Sequence, residues 1–194
     1  MIFVTVGLHY QGFERLIREM DRIAPELNEK VIAQIGVSSY IPKNLDYFRE
    51  ASIDEINKYL KEARIVISHA GVGSIITALK YGKPLILVPR IKKFREHNSD
   101  HQIEIANAIE TEKKAYVVYD ICRLHKAINL AIKNEDSISE TSQSVLFREK
   151  SKNNDEARRT DCVYKNSRLK STFFYKNKLI SFIRDYLRTL DAVD

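Results

Sequence analysis

Apolar residues recur along this chain in two alternating rhythms. Short runs rich in β-branched residues, at 2–6, 31–36, 65–68, 85–88 and 115–118, are bounded by glycine, proline or polar clusters and read as buried strands; 45–50 is a fainter strand pattern. Between the runs the apolar spacing turns helical: Phe13, Leu16, Ile17, Met20 and Ile23, closed by Pro25; then Ile53, Ile56, Leu60 and Ala63 on one side; then Ile103, Ala106 and Ile109; then Leu124, Ala127, Ile128 and Ala131. A further short helical stretch after Ser74 is stopped by Gly82 and Pro84. Ser52-Ile-Asp-Glu55 has the form of a capping box, and Ser99-Asp-His-Gln102 reads as another. Strands alternating with helices through short loops predict an α/β fold, a single doubly wound Rossmann-like lobe over residues 1–134.

The pattern fails after Asn134. Residues 135–172 are rich in Ser, Asn, Lys and Arg and read as a polar, basic linker without a core of its own. Order is expected to return at 173–194 as a C-terminal amphipathic helix, with Leu179, Ile180, Ile183, Tyr186, Leu187 and Leu190 in one stripe. That stripe either packs on its own domain or meets a membrane surface or partner.

Composition narrows the class. With 194 residues, 44% hydrophobic and 30% charged, the chain reads as a globular domain, and no apolar run approaches a membrane span. Met1 leads straight into a strand pattern rather than a secretory leader. Cys122 and Cys162 show no metal-ligand spacing and suit a reducing cytoplasm. The net charge of +6 is concentrated in residues 145–178, where ten Lys/Arg face four Asp/Glu. Such a segment suits nucleic acid, an anionic membrane or an acidic partner, or is a solvated linker.

The richest stretch is Ile65-Val-Ile-Ser-His-Ala-Gly-Val-Gly-Ser74. A strand runs into a glycine-punctuated turn with Ser74 at the expected helix start. There the backbone can approach a ligand closely, and free amides with the helix dipole favour an anion such as a diphosphate. Tight strand-to-helix turns also need glycine for conformation alone. The polar residues His9, Ser38, His69, Glu96, His97, His101 and Gln102 fall mostly in loops after strands, where doubly wound sheets bind ligands.

Several separated motifs carry a resemblance. Ile2-Phe-Val-Thr-Val-Gly7 with His9, Gln11 and Phe13, then Pro42-Lys-Asn44, Ser68-His-Ala-Gly-Val-Gly-Ser74, Gly82-Lys-Pro84, Val88-Pro-Arg90, and Glu96-His97 with Asp100-His-Gln102 resemble the PssE-type subunits of exopolysaccharide glycosyltransferases. They are also similar to the donor-binding subunit of the dolichol-linked N-acetylglucosaminyltransferase and to the C-terminal half of MurG. The resemblance implies half of a GT-B fold that binds a UDP-sugar as donor substrate, with no permanently bound cofactor and no metal. It implies a nucleotide site of Gly7, Ser52, Ile53, Gly71, Val72, Gly73, Ser74 and Thr77, the backbone near Ile53 meeting the uracil and Gly71–Ser74 the diphosphate. Thr77 stands where the MurG-like enzymes place a ribose-facing carboxylate. Arg90, Asp100, His101 and Gln102 are implied for the donor sugar, and His9, Glu96 and His97 for catalysis. Leu8 stands where relatives carry Thr, and Arg95 where they carry Gly.

The function implied is that of the UDP-sugar-binding subunit of a two-component inverting glycosyltransferase. A membrane-associated, PssD-like subunit would bring a lipid-linked sugar acceptor for exopolysaccharide or glycan synthesis. The chain would be cytoplasmic and peripheral at the membrane through that partner, with no nucleic acid expected. Departing UDP would be stabilised by amides, helix dipole and Arg90; His9 is the candidate base, or a loop histidine bonded only to backbone. Gln102 serves as a cap, as a sugar contact, or as both in turn. Two rival readings are a basic-tail adaptor for nucleic acid or membrane, and a UDP-sugar epimerase-like protein.

Overall fold

The computed structural model describes residues 1–140 together with Ser181 and Asp185. Six strands, β1 (Ile2–Thr5), β2 (Val31–Gln34), β3 (Asp46–Phe48), β4 (Ile65–Ser68), β5 (Leu85–Leu87) and β6 (Tyr116–Val117), form one sheet in the order β3-β2-β1-β4-β5-β6. Every neighbouring pair is parallel. The connecting helices are α1 (Glu14–Ile23), α2 (Ile53–Glu62), α3 (Val72–Lys80) and α4 (His101–Thr111), and α5 (Leu124–Glu140) follows β6. This is the α/β, Rossmann-like lobe that the alternation of patterns predicts.

Strand periodicity sorts the core. Ile2 and Val4 join Leu16, Ile17 and Met20 of α1 and Ile128 and Ala131 of α5 in one apolar cluster. Phe3, one residue out of phase, stacks instead with Phe48 of β3 and Tyr59 of α2. Both faces of the central strands are therefore covered, and all four residues of β1 and of β4 are buried.

Local signals set most element ends. Pro25 converts the end of α1 into the 3-10 turn Ala24–Glu26. Ser52 Oγ accepts from the Glu55 amide while Glu55 Oε2 accepts from the Ser52 amide, the reciprocal box expected from sequence. Gly82, at φ +61, ends α3 in a left-handed turn in which its amide reaches the Leu79 carbonyl and that of Lys83 reaches Ala78.

Four expectations need correction. Ser99-Asp-His-Gln102 is no capping box: α4 begins at His101 with no side-chain cap, because the Gln102 side chain is engaged elsewhere. The start of α3 lies at Val72 with Gly71 as its cap residue, so Ser74 sits inside the first turn. Ile53 does not face the core; as the first residue of α2 it is 76% exposed, while Leu60 and Ala63 are buried. Finally, α5 continues to Glu140, so residues 135–140 are helical rather than the beginning of a linker.

The chain divides into two units, Met1–Glu135 and Asp136–Asp194. In the second, Ser181 and Asp185 are helical and exposed, and Ser181 Oγ donates to Asp185 Oδ2 at 3.3 Å. The rest of the 141–172 linker and of the C-terminal helix, Cys162 included, lies outside the described residues. Among the described residues no helix is long and apolar enough to cross a membrane.

Candidate functional site

The strand order fixes where a ligand fits. β1 pairs with β2 on one side and β4 on the other, so the connections leaving β1 and β4 diverge and open a crevice above their carboxyl ends. The loop after β1 carries Gly7, Leu8 and His9; the loop after β4 carries His69, Ala70 and Gly71. By contrast, a concavity of about 300 Å³ lined by Ala24, Lys30, Val31 and Asp46 lies at the opposite, amino end of the strands.

His69 shapes the crevice floor. Its Nδ1 lies 3.4 Å from the Thr5 carbonyl oxygen, to which Nδ1–H donates in the neutral tautomer. A methyl group on Gly7 would come within 2.5 Å of the ring, and one on Gly71 within 2.3 Å of Nε2. Both glycines therefore make room for one imidazole, and Gly7 in addition adopts φ +70. Burial, then the charge of Arg90, pulls His69 down to about 4, against the Thr5 carbonyl that favours the charged form. The ring is neutral at pH 7.

Above it begins α3. No acceptor among the described residues takes the first-turn amides of Val72, Gly73 and Ser74, and the Ile75 amide is the first to be satisfied, by the Gly71 carbonyl. The first turn of α3 contains no acidic residue, whereas those of α1, α2 and α4 contain Glu14, Asp54 with Glu55, and Glu104. Its dipole, equivalent to about half a positive charge, is thus left uncompensated. Nothing stands within 4 Å of the space a Gly73 side chain would fill. A diphosphate can approach the backbone there. Thr77 Oγ1 donates to the Gly73 carbonyl at 2.9 Å, so toward a ribose it can only accept. Ser52 and Ile53 lie on the same carboxyl edge, at the start of α2 after β3.

The Arg90–Gln102 segment departs most from expectation. Arg90 is buried, and its guanidinium donates to four carbonyls: Nη1 to Gln11, Gly12 and Glu96, and Nη2 to Val6, at 2.8–3.0 Å. It lies 4.8 Å over the Phe13 ring. Desolvation draws it to about 10, against the opposing pull of Glu96 and Glu14, so it remains charged. Arg90 ties the loop after β1 to the loop after β5 through Nη1 and Nη2, while its Nε is buried without a partner among the described residues. Glu96, implied as catalytic, is buried in a two-pronged pair with Arg15 (2.8 and 2.9 Å) and accepts the Ile91 amide at 3.0 Å. Those bonds hold its lone pairs, and it orders the loop.

Other residues of the segment remain available in part. Gln102 accepts the Arg90 amide through Oε1 at 3.0 Å; its amide nitrogen takes no partner among the described residues. One side chain thus anchors the end of β5 and keeps two N–H donors for a ligand. Asp100 Oδ1 accepts the Lys92 amide at 2.9 Å, and His101 Nδ1 faces Glu104 at 3.5 Å. Gln11 Oε1 is buried without a partner.

His9 and His97 come together. Their rings stack with centroids 4.6 Å apart, and the Tyr10 ring also stacks on that of His9, at 4.6 Å. His9 Nδ1 accepts the Gln11 amide at 3.2 Å, which places the proton on Nε2. His97 Nδ1 lies 3.0 Å from the Ser99 carbonyl oxygen and 3.2 Å from the Ser99 amide nitrogen, so it donates to the first in one tautomer, which frees a lone pair on Nε2, and accepts from the second in the other. Burial first, then the charges of His97 and Arg90, holds His9 below its ordinary value. Sequence reasoning missed Arg15, Tyr10 and Asn98, which fasten these loops; their partners are distant in the chain, and no local signal marks them.

Comparison with known proteins follows the same outline. Residues 1–158 match the glycosyltransferase family 28 C-terminal domain. The chain is 32% identical over 138 residues to the UDP-N-acetylglucosamine transferase subunit ALG13 of Homo sapiens, covering 63% of this chain and 11% of that protein. It is 32% identical over 118 residues to the UDP-N-acetylglucosamine--N-acetylmuramyl-(pentapeptide) pyrophosphoryl-undecaprenol N-acetylglucosamine transferase of Thermotoga sp. (strain RQ2), covering 59% of this chain and 33% of that one. The chain therefore spans a third or less of the length of these relatives. Among solved structures, the glycotransferase of kitacinnamycin superposes with a TM-score of 0.52 at 19% identity over 71% of this chain and 37% of that one, a likeness of fold alone. A parallel lobe with this strand order, this helix start and a family match over most of its length belongs to the glycosyltransferase family 28 C-terminal domain family.

Proposed function

We propose that this chain is the donor-binding half of a two-component inverting glycosyltransferase that holds a UDP-sugar and transfers the sugar to a lipid-linked acceptor presented by a second polypeptide. The observation that carries the reading is the uncompensated start of α3, with the amides of Val72, Gly73 and Ser74 open at the switch point of the sheet. The names of the relatives support it: one is a subunit of a UDP-N-acetylglucosamine transferase, and another acts on a pyrophosphoryl-undecaprenol acceptor.

In this reading the diphosphate lies on the first turn of α3, and Ser74 adds its hydroxyl. The backbone at Ser52 and Ile53 meets the uracil, Thr77 accepts from the ribose, and the Gln102 amide donates to the sugar. As the sugar leaves, negative charge grows on the diphosphate and meets preorganised amides and a dipole that need no reorganisation. Each such donor contributes about 3 kcal/mol to lowering the barrier. In the tautomer that donates Nδ1–H to the Ser99 carbonyl, His97 offers its Nε2 lone pair to the acceptor hydroxyl's proton, while His9 Nε2–H donates to oxygen beside it. The proposed partner is a membrane-associated, PssD-like subunit, the proposed setting exopolysaccharide or glycan synthesis at the cytoplasmic membrane face.

Isothermal titration of the purified chain with UDP, ADP and GDP tests donor recognition. UDP is expected to bind at least tenfold tighter than the other two; equal affinities would sink the reading. Adding the acceptor-binding polypeptide is expected to raise transfer from UDP-N-acetylglucosamine above the level of the chain alone.

A further inference from the structure

Donor binding leaves one surface of the same sheet edge unused. The 3-10 turn Lys92–Phe94 and the Arg95 after it present three cations and an aromatic ring to solvent, Phe94 being 50% exposed. The loop after β1 exposes Leu8 at 77% and Tyr10 at 68%. These two loops form one surface, because His9 stacks on His97 and the Tyr10 hydroxyl donates to Asn98 Oδ1 at 2.7 Å.

The turn is held rigidly. Its Lys92 amide donates to Asp100, the Ile91 amide donates to Glu96, and the Arg15 guanidinium lies 5.2 Å from the Phe94 ring. Arg95 sits at φ 58, the left-handed region where a residue with a side chain is strained and persists only when its surroundings impose it. The two carboxylates beside the turn are engaged within it, Glu96 in the buried pair with Arg15 and Asp100 on the Lys92 amide, so the cations face outward without a neutralising acid.

Projecting apolar and aromatic side chains among lysine and arginine suit a lipid headgroup interface: the rings settle at the headgroup level and the cations meet anionic lipid. We propose that Leu8, Tyr10, Lys92, Lys93, Phe94 and Arg95 dock this lobe directly onto an anionic phospholipid bilayer. The inference stands whether or not the ligand above α3 is a UDP-sugar.

Co-sedimentation of the full chain with vesicles tests it, using phosphatidylglycerol mixed with phosphatidylcholine against phosphatidylcholine alone. Binding is expected to the anionic vesicles only and to weaken with salt. Lys92→Ser with Lys93→Ser is expected to lower the partition coefficient roughly thirtyfold. Leu8→Ser with Phe94→Ser is expected to lower it at unchanged net charge, with thermal unfolding midpoints confirming that each variant folds. Three results overturn the proposal: no sedimentation of the parent chain, equal binding to neutral vesicles, or variants that bind like the parent, which assigns the affinity to the basic 145–178 segment. Loss of a protein complex in the lysine variant with vesicle binding intact also overturns it and makes the surface a protein-docking one.

Discussion

His9 and His97 stack with their ring centroids 4.6 Å apart, although one follows β1 and the other lies in the long loop after β5. Each Nδ1 faces the backbone amide two residues on, Gln11 for His9 and Ser99 for His97, but only His97 has a carbonyl there as well, so only His97 can carry its proton on Nδ1 and present an Nε2 lone pair. With the acceptor-binding polypeptide supplied, His97→Ala is expected to lower kcat by about 10²–10⁴-fold. His9→Gln, which keeps a side-chain N–H, is expected to stay within about tenfold. Steady-state kinetics checks this; the reverse order of losses returns the base to His9.

Gly7 and Gly71 flank the same imidazole, which makes their substitution costs separable. Gly71 has extended backbone angles that alanine tolerates, so Gly71→Ala is expected to cost about 1–3 kcal/mol through the His69 clash alone. In a His69→Ala background that cost should vanish. Gly7→Ala should be relieved only in part, because φ +70 remains unfavourable for any side chain. A double-mutant cycle by urea unfolding measures both couplings.

Gly73 distinguishes ligand binding from folding. Nothing crowds the space beside it, and it lies within a helix, so Gly73→Ala is expected to leave stability unchanged or raise it by up to about 1 kcal/mol. The same methyl stands where the diphosphate is proposed to approach, and UDP affinity should fall at least tenfold. Calorimetric titration and thermal unfolding of one variant give both numbers.

Arg90 acts through structure. Arg90→Met leaves the carbonyls of Val6, Gln11, Gly12 and Glu96 without their shared donor, and the expected loss is about 3–5 kcal/mol by urea unfolding. Arg90→Lys should recover little, since one ammonium cannot reproduce the planar fork.

The depressed His69 sets an acid limit. Its unfolded value near 6.5 exceeds the folded value of about 4, so between them the unfolded state binds more protons. Stability is therefore full above about pH 7 and is lost as pH falls toward 4, by about 3 kcal/mol from this group. His69→Ala should show a shallower decline over that window when denaturant midpoints are followed against pH.

Much of the fold was legible along the chain, since it rests on local rules. Strand runs, the Ser52–Glu55 box, the Pro25 stop and the Gly82 turn each act within a few residues, and the structure realises them. The Ser99–Gln102 box failed because a local preference lost to a distant bond: Gln102 anchors the Arg90 amide instead. Residues 135–140 were misread for a related reason, as helix α5 extends through polar positions that hydrophobic spacing does not count.

The amino-acid order alone determined the alternation of strands and helices, hence a parallel sheet, and with it the place of the glycine turn at a strand end where a helix begins. Only the tertiary structure decided what each polar side chain does there. Arg90 and Glu96 looked like site residues, yet the Arg90 Nη atoms go to backbone carbonyls and Glu96 to Arg15, whereas Gly7 and Gly71 also make room for His69. The reason is physical: a buried charge must find partners, and those partners come from whichever loops the sheet brings together, a matter of strand order rather than of neighbouring sequence.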